Sequence, residues 1–519
     1  MKKSYIIVLL CIIFLLSLFI FQKINLTTAD LGRHLVNGKL LLHPENFNTI
    51  LDPLLNTNFF SFTNPDYPFV NHHFGSGILF YLIFSVFGFF GLSLFYGVCI
   101  IFSTIILFHL FHTGRDKIPL FISFPIILFL IPLIGERTEV RPEGLSYVFI
   151  SIILTLLYLY QNEQIQKKWL YFIPLIAFFF VNTHIYFIFV PFIIGMFLLE
   201  NLIYRNFIKF KNLAVTFGLS VLMLSINPHG PTVLIYPFTI WQNYGYLVVE
   251  NQSIAFLANL GINNPNFLWW KIATIIFIAT SFFILSKHRK SFPLALVAIS
   301  TAFSILSFFS IRHLTLYGLS LVPLFLYYAY ILYKKPEKND KEKLETHVIW
   351  SVSFSIIIFI AILINFNNRL FADNSGMGLL PKINSSIEFW KKENLEGPIF
   401  SNYDIGGYLI FHLHDKEKVF VDNRPEAYPK SFLQNEYIPM QENDTVWKQE
   451  MQKWNFNAIY FYRHDMTPWA QKFLVTRISD PLWAPVFVDD YTIIFLERNS
   501  KNNAIIEKYE LPKSMFSIK

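Results

Sequence analysis

The feature that most constrains this chain is a series of long apolar runs with basic clusters between many of them. A helix needs about 20 apolar residues to cross a bilayer core. The first run, 4–22, follows Met1-Lys2-Lys3, and others lie at 91–112, 118–134, 143–161, 168–183, 185–203, 212–228, 268–286, 292–309, 312–333 and 347–366. A basic start before an apolar core also describes a signal peptide. Here FQKINLTTAD continues without a small-residue cleavage site, so a retained anchor is expected. Only 15% of the 519 residues are charged, and 54% are hydrophobic. Soluble domains carry about 25% charged residues, so a soluble enzyme, a disordered chain and a fibrous one are excluded. The expected fold class is a polytopic α-helical membrane protein with about 11 transmembrane helices and a C-terminal extracytoplasmic α/β domain. Residues 1–370 would form the transmembrane domain, with a large first external loop at 23–90, and 371–519 the soluble domain. Cys11 and Cys99 both sit in apolar runs, which leaves no disulfide framework and no thiol-metal site.

The 42 Lys and Arg against 35 Asp and Glu are topology signals in such a chain and do not point to nucleic acid. Basic residues cluster at Arg115 and Lys117, Lys167-Lys168, Arg205 to Lys211, Lys287 to Lys290 and Lys334 to Lys343. The positive-inside rule places each of them in the cytoplasm. That alternation works if 75–112 crosses once, with Gly75–Gly88 an interfacial or re-entrant helix and 91–112 the crossing. A two-crossing hairpin is the alternative, and it would put Arg115 and Lys117 outside. The outward connections are then 23–90, 136–142, 182–184, 227–267, 312–313 and everything after about 370, with the N-terminus cytoplasmic. The working face is outside.

The tail after 370 has soluble composition. Short β-like runs occur at Pro398–Ser401, Tyr408–Phe411, Lys418–Val421, Ala458–Phe461 and Thr492–Leu496, with helical stretches at 383–393 and 443–454. Gly406-Gly407 lacks the spacing of a phosphate loop and reads as a turn.

Chemistry-bearing residues gather in the outward connections. Asp30, directly after the first run, is followed by Arg33 and His34, and Asp30 and His34 share a helix face. Asp30 could present a carboxylate base to a hydroxyl, bind a cation, or simply cap the next helix. His72 and His73 are adjacent, so on regular structure their side chains point apart and at most one reaches a given ion. Structural or substrate hydrogen bonding suits them better. Glu136, Arg137, Glu139, Arg141 and Glu143 alternate in sign at a membrane edge, where unpaired charge is costly. They fit either an arginine fork for phosphate or an internal ion-pair network. Asn182, His184 and His229 lie at outer helix ends, where a lone His is usually structural. Arg312-His313 has no acid nearby in sequence, which makes it a contact for an anionic headgroup. Together these places would build a polar cavity opening to the outer leaflet.

With these residues in view, the chain resembles the GT-C superfamily of polytopic glycosyltransferases. It is most similar to the membrane core of the aminoarabinose-transferase and protein O-mannosyltransferase type. The segments carrying the likeness are Asp30-Leu-Gly-Arg-His-Leu through Gly38, Phe60-Ser-Phe-Thr63 through His73, Arg141-Pro142, Asn182-Thr-His184, Arg312-His313, Ser401–Tyr408 and Val419–Arg424. The resemblance implies an enzyme of the cell envelope, in a bacterial cytoplasmic (inner) membrane, inverting and dependent on a polyprenyl-phosphate sugar donor. Its partners would be that donor, membrane lipids and a glycan, lipid or protein acceptor. It also implies Asp30 as catalytic base, Arg141, Arg312 and His313 at the donor phosphate, and Arg33, His34, His72, His73, Asn182 and His184 at the acceptor or substrate cavity. Leu31 stands directly after Asp30, so the chain departs from members with paired acidic residues there. No metal ligand and no cofactor are therefore assigned, a divalent cation being the alternative. The other readings are a transporter or flippase for a lipid-linked glycan and a non-catalytic envelope-assembly scaffold. Charges confined to one face, and the absence of paired Gly/Pro-broken helices, weigh against a transporter.

Overall fold

The structure is a computed structural model that describes residues 2–43, 47–113, 116–333 and 341–516. Pro44, Arg115 and residues 334–340, which include part of the last basic cluster, lie outside the described residues. Two compact units are formed. The first contains Met1–Gln22, Ser93–Leu234 and Val248–Met377, and the second Lys23–Leu92, Ile235–Leu247 and Gly378–Lys519.

The first unit is a helical assembly, and each apolar run of the sequence is found as helix. Among the described residues eight helices are long and apolar enough to cross a membrane: Lys3–Ile20, Phe74–His112, Glu143–Gln161, Ile185–Ile203, Phe207–Leu224, Asn266–Lys287, Ile311–Leu332 and Leu344–Leu370. Leu120–Ile134 and Leu294–Phe309 are apolar but shorter. The 168–183 run is a 3-10 turn, Lys167–Tyr171, followed by the short helix Phe172–Val181. The chain is an integral membrane protein. Burial sorts the helices: 78% of the Ile311–Leu332 window is buried but only 22% of the Lys3–Ile20 window. Ile6, Ile7, Leu10 and Phe14 of the latter are exposed, as expected for a lipid-facing surface. Close approach at the centre depends on Gly318, where a Cβ would stand 2.9 Å from Ile134.

Continuous helix runs from Phe74 to Thr113, but Gly88 adopts φ 61° and ψ −159°, so two helices meet there. Only glycine reaches that conformation without strain. The break falls at the end of the Gly75–Gly88 segment read from sequence as separate from the crossing.

The second unit is built on a four-stranded mixed sheet in the order β1-β2-β4-β3. The strands are β1 (Ile399–Ser401), β2 (Ala458–Tyr462), β3 (Trp483–Val488) and β4 (Thr492–Glu497). β1 and β2 are parallel, and the β2–β4 and β3–β4 pairs are antiparallel. Phe400, Phe420, Trp447, Phe461, Phe473 and Trp483 fill an aromatic core against it. Residues 23–90 are largely helical, through Leu31–Leu42, Phe47–Asn56 and the start of the Phe74 helix. They join the C-terminal segment by backbone bonds, Phe62 N–H to Val419 O at 3.1 Å and Val419 N–H to Phe60 O at 3.0 Å.

Three local expectations are corrected. Tyr408–Phe411 is helix, within Gly406–Leu413, because short buried apolar runs suit helix and strand equally. Gly406-Gly407 opens that helix and is not a turn. Both residues are small because of crowding: a Cβ on Gly406 would meet Asp422 Cα at 2.4 Å. Lys418–Val421 makes only an isolated bridge, Val419 with Ser61, since its neighbour comes from the distant 58–63 segment.

Candidate functional site

Each unit holds a polar cluster. In the second, Asp30 occupies the N-cap position of the Leu31–Leu42 helix, but its side chain makes no capping hydrogen bond. The simple capping role is therefore not what places an Asp there. Arg33, His34 and Asn37 on that helix are buried. The helix start is pressed onto the Gly406–Leu413 helix, for a Cβ on Gly32 would stand 2.4 Å from Gly407 O. Asp422 and Arg424 form a buried bidentate pair, Nε to Oδ1 at 2.7 Å and Nη2 to Oδ2 at 2.6 Å. The Arg424 Nη2 also donates to Asn58 Oδ1 at 2.6 Å, and the Tyr428 hydroxyl donates to Asp422 at 3.2 Å. Burial pushes the Glu426 carboxyl up from its ordinary value and Asp30 adds to the rise, against the pull of Arg33 and Arg424. A second carboxyl thus lies in the field of Asp30, supplied from a segment far away in sequence.

The histidines of this unit are brought together. The His72 and His73 rings are 3.7 Å apart and the His34 ring is 5.2 Å from His73. The expectation that His72 and His73 point apart is corrected, because both lie in a turn just before the Phe74 helix and not in regular structure. Among the described residues no group of three or more His, Cys, Asp or Glu is arranged to hold a metal ion.

In the first unit, Arg137, Arg141 and Arg312 interlock with Glu139, Glu143 and Glu250. Arg137 donates to Glu143 at 3.1 Å and Glu250 at 3.0 Å. Arg141 donates to Glu139 and Glu250, both at 2.7 Å. Arg312 reaches Glu143 at 2.6 Å and Asn251 at 3.0 Å. The alternating charges therefore form the ion-pair network that was one of the two sequence readings, and Arg312 is not the unpartnered cation its neighbours suggested. Beside Arg312, His313 stacks on Tyr186 at 5.4 Å, and His184 packs on Tyr186 at 4.4 Å while sharing a 2.8 Å hydrogen bond with Ser146. Asn182 donates its amide to the Phe178 and Ile226 carbonyls. Glu136 stands outside the network and binds Arg369 at 2.6 Å.

No protein-family model matches the sequence, and no curated protein matches it. Solved structures do. An archaeal oligosaccharyltransferase AglB from Archaeoglobus fulgidus, in complex with an inhibitory peptide and dolichol-phosphate, aligns over 93% of this chain and 73% of its own, with 11% identity and a TM-score of 0.57. The chain has the fold of AglB. The apo Archaeoglobus fulgidus oligosaccharyltransferase aligns over 91% of this chain and 71% of its own at 13% identity and TM-score 0.59. The form complexed with Zn and sulfate aligns over 94% and 73% at 12% identity and TM-score 0.56. These structures are oligosaccharyltransferases, and the likeness in fold extends over most of this chain.

Within this AglB-like fold, sequence reasoning missed Glu250, Glu426 and Asn58. Glu250 sits in the long 227–267 connection with no charged neighbour to draw attention to it. It nevertheless touches all three arginines. Burial would raise its carboxyl, but Arg141, Arg137 and Arg312 prevail and hold it at about 2. A carboxyl depressed in the folded state stabilises fully above its ordinary value of 4.5, and that stability is lost as pH falls through about 2. Unfolding of the purified protein should accordingly be insensitive to this group from neutral pH down to about 5 and acid-sensitive below. Glu250→Gln should remove part of that acid limb and cost about 3 kcal/mol at pH 7. Thermal melts in detergent across pH 3–8 check this, and an unchanged acid limb would refute it.

Proposed function

We propose that this chain is an integral-membrane glycosyltransferase that moves a sugar from a polyprenyl-phosphate-linked donor to an envelope acceptor (glycan, lipid or protein) on the extracytoplasmic face. The observation that carries the reading is the AglB-like fold, matched over more than nine-tenths of the chain. The lipid-phosphate donor is taken from the dolichol-phosphate bound to AglB. About eleven crossings would place the N-terminus in the cytoplasm and residues 371–519 outside a bacterial cytoplasmic membrane.

Asp30 acts as base. Its carboxylate takes the proton of the acceptor hydroxyl, the oxygen attacks the anomeric carbon, and the bond to the lipid phosphate breaks with its electron pair leaving on phosphate. One displacement inverts the anomeric centre. Arg141 and Arg312 hold the departing phosphate as fixed cations, which serve charge development best, and His313 is assigned beside them as a hydrogen-bonding contact. One of the partners of Arg141 is readily given up. Glu139 is 49% exposed, and such a pair is worth roughly 1 kcal/mol or less, so a phosphate displaces it from Arg141 at small cost. Arg33, His34, His72, His73, Asn182 and His184 are assigned to substrate contact. The reading needs no resident cofactor; transfer lost on EDTA treatment and restored by a divalent cation would revise that.

Mass-spectrometric comparison of envelope glycans and glycolipids with and without the protein tests the proposal. A missing glycosyl group with accumulation of its lipid-linked donor is the expected result. Purified protein that moves a lipid-linked glycan across vesicles without consuming a sugar donor would overturn it.

A further inference from the structure

Arg33 is buried to 2% exposure, yet its Nε and Nη1 have no hydrogen-bond acceptor among the described residues. A buried guanidinium is normally saturated, because uncompensated charge in a low dielectric is among the costliest features a protein can retain. Two further buried donors share the condition: the Tyr403 hydroxyl and the Asn423 amide. Packing draws all three to one place. Gly32, next to Arg33, abuts Gly407, and a Cβ on Gly407 would stand 3.5 Å from Asn423 Nδ2. Arg33 and Tyr403 both lie in the fields of Asp30 and Glu426. Of the carboxylates around Arg33, Asp422 is committed elsewhere, since it takes two bonds from Arg424 and one from Tyr428. Burial, then the neighbouring Arg424, lowers the Arg33 guanidinium from its ordinary value, and Asp30, Asp422 and Glu426 offset this only in part.

We propose that Arg33, with the Asn423 amide and the Tyr403 hydroxyl, holds an oxyanion, a phosphate or carboxylate group of the substrate that reacts beside Asp30. Arg33 follows Asp30 by three residues, so the oxyanion is gripped on the same side of the helix start as the base. Its position beside Asp30 rests on the proposed transferase reading. The existence of the oxyanion site does not.

The test uses the full chain in detergent, with inorganic phosphate, glucuronate and farnesyl phosphate as probes, followed by calorimetry and thermal shift. Wild type is expected to bind inorganic phosphate, and Arg33→Gln to weaken it at least about tenfold, the worth of one charge-assisted hydrogen bond. Tyr403→Phe deletes a hydroxyl with no partner among the described residues, so it should fold normally and still bind several-fold more weakly. Arg498→Gln, at an arginine that pairs with Glu510 and has no part in the site, should bind as wild type does. Displacement of phosphate by farnesyl phosphate identifies the donor as the source of the oxyanion, and displacement by glucuronate alone identifies an acidic acceptor. Equal binding by wild type, Arg33→Gln and Tyr403→Phe, or no binding of any probe to wild type, overturns the proposal. Binding without any sugar transfer would overturn the transferase reading and leave this one standing.

Discussion

Replacing Asp30 by asparagine is expected to lower glycosyl transfer about 10²–10⁴-fold, the usual worth of a positioned base. Folded protein should meanwhile accumulate at the wild-type level. Asparagine is isosteric and keeps the N-cap preference of the position, and no capping bond of the native side chain is lost. What disappears is one carboxylate in a cluster where Arg33 is buried and Glu426 is already pushed toward its neutral form. The measurement is product formation in inverted or permeabilised membranes, normalised to protein detected in the same membranes. Unchanged product with normal protein would remove Asp30 from the mechanism, while loss of the protein itself would mean the residue is structural.

The second large effect concerns stability. Arg424→Ala should destabilise the second unit by about 3–5 kcal/mol, the cost of leaving one partner of a buried ion pair alone. Asp422 is wholly buried and Arg424 is 3% exposed, so no water can take over. The guanidinium also holds Asn58 and lies 4.7 Å from the Phe69 ring, so one truncation loosens contacts to three segments. Arg424→Lys should recover only part, because an ammonium cannot reproduce the two parallel bonds to Asp422. Thermal unfolding of the detergent-purified protein, read by tryptophan fluorescence from Trp447 and Trp483 in the adjacent core, reports the change. A melting temperature within a degree or two of wild type would show that the pair is not holding this unit.

The helices of the first unit were legible because lipid demands long apolar stretches, and that signal is local. The charges between them were legible as a group but not in their pairing. Arg312 looks isolated along the chain because its carboxylate, Glu143, is 169 residues away. Glu250 could not be singled out for the same reason. In the second unit β1, β2 and β4 stood out as apolar runs, whereas Trp483–Val488 was passed over and Tyr408–Phe411 was misassigned. A four-residue apolar run carries no periodicity that separates strand from helix. Asp30 and Arg33 were visible as anomalies at a helix start. Glu426 was not, and Asn423 was visible only inside the Val419–Arg424 segment, its place in the cluster coming from the packing around Gly407.

The second unit is assembled from three stretches of chain separated by nearly all of the apolar helices. Asn58 and Arg424, which hydrogen-bond in the finished protein, are 366 residues apart. At ribosomal speeds of about 5–20 residues per second, Asn58 waits roughly 20–70 s before its partner is even synthesised. During that interval the early stretch has no sheet to join, and its buried histidines and glycine-lined helix face stay uncovered. Completion of the second unit is therefore a matter of late closure, and chaperones or proteases that sample the nascent chain meet an unfinished unit until the final strands emerge.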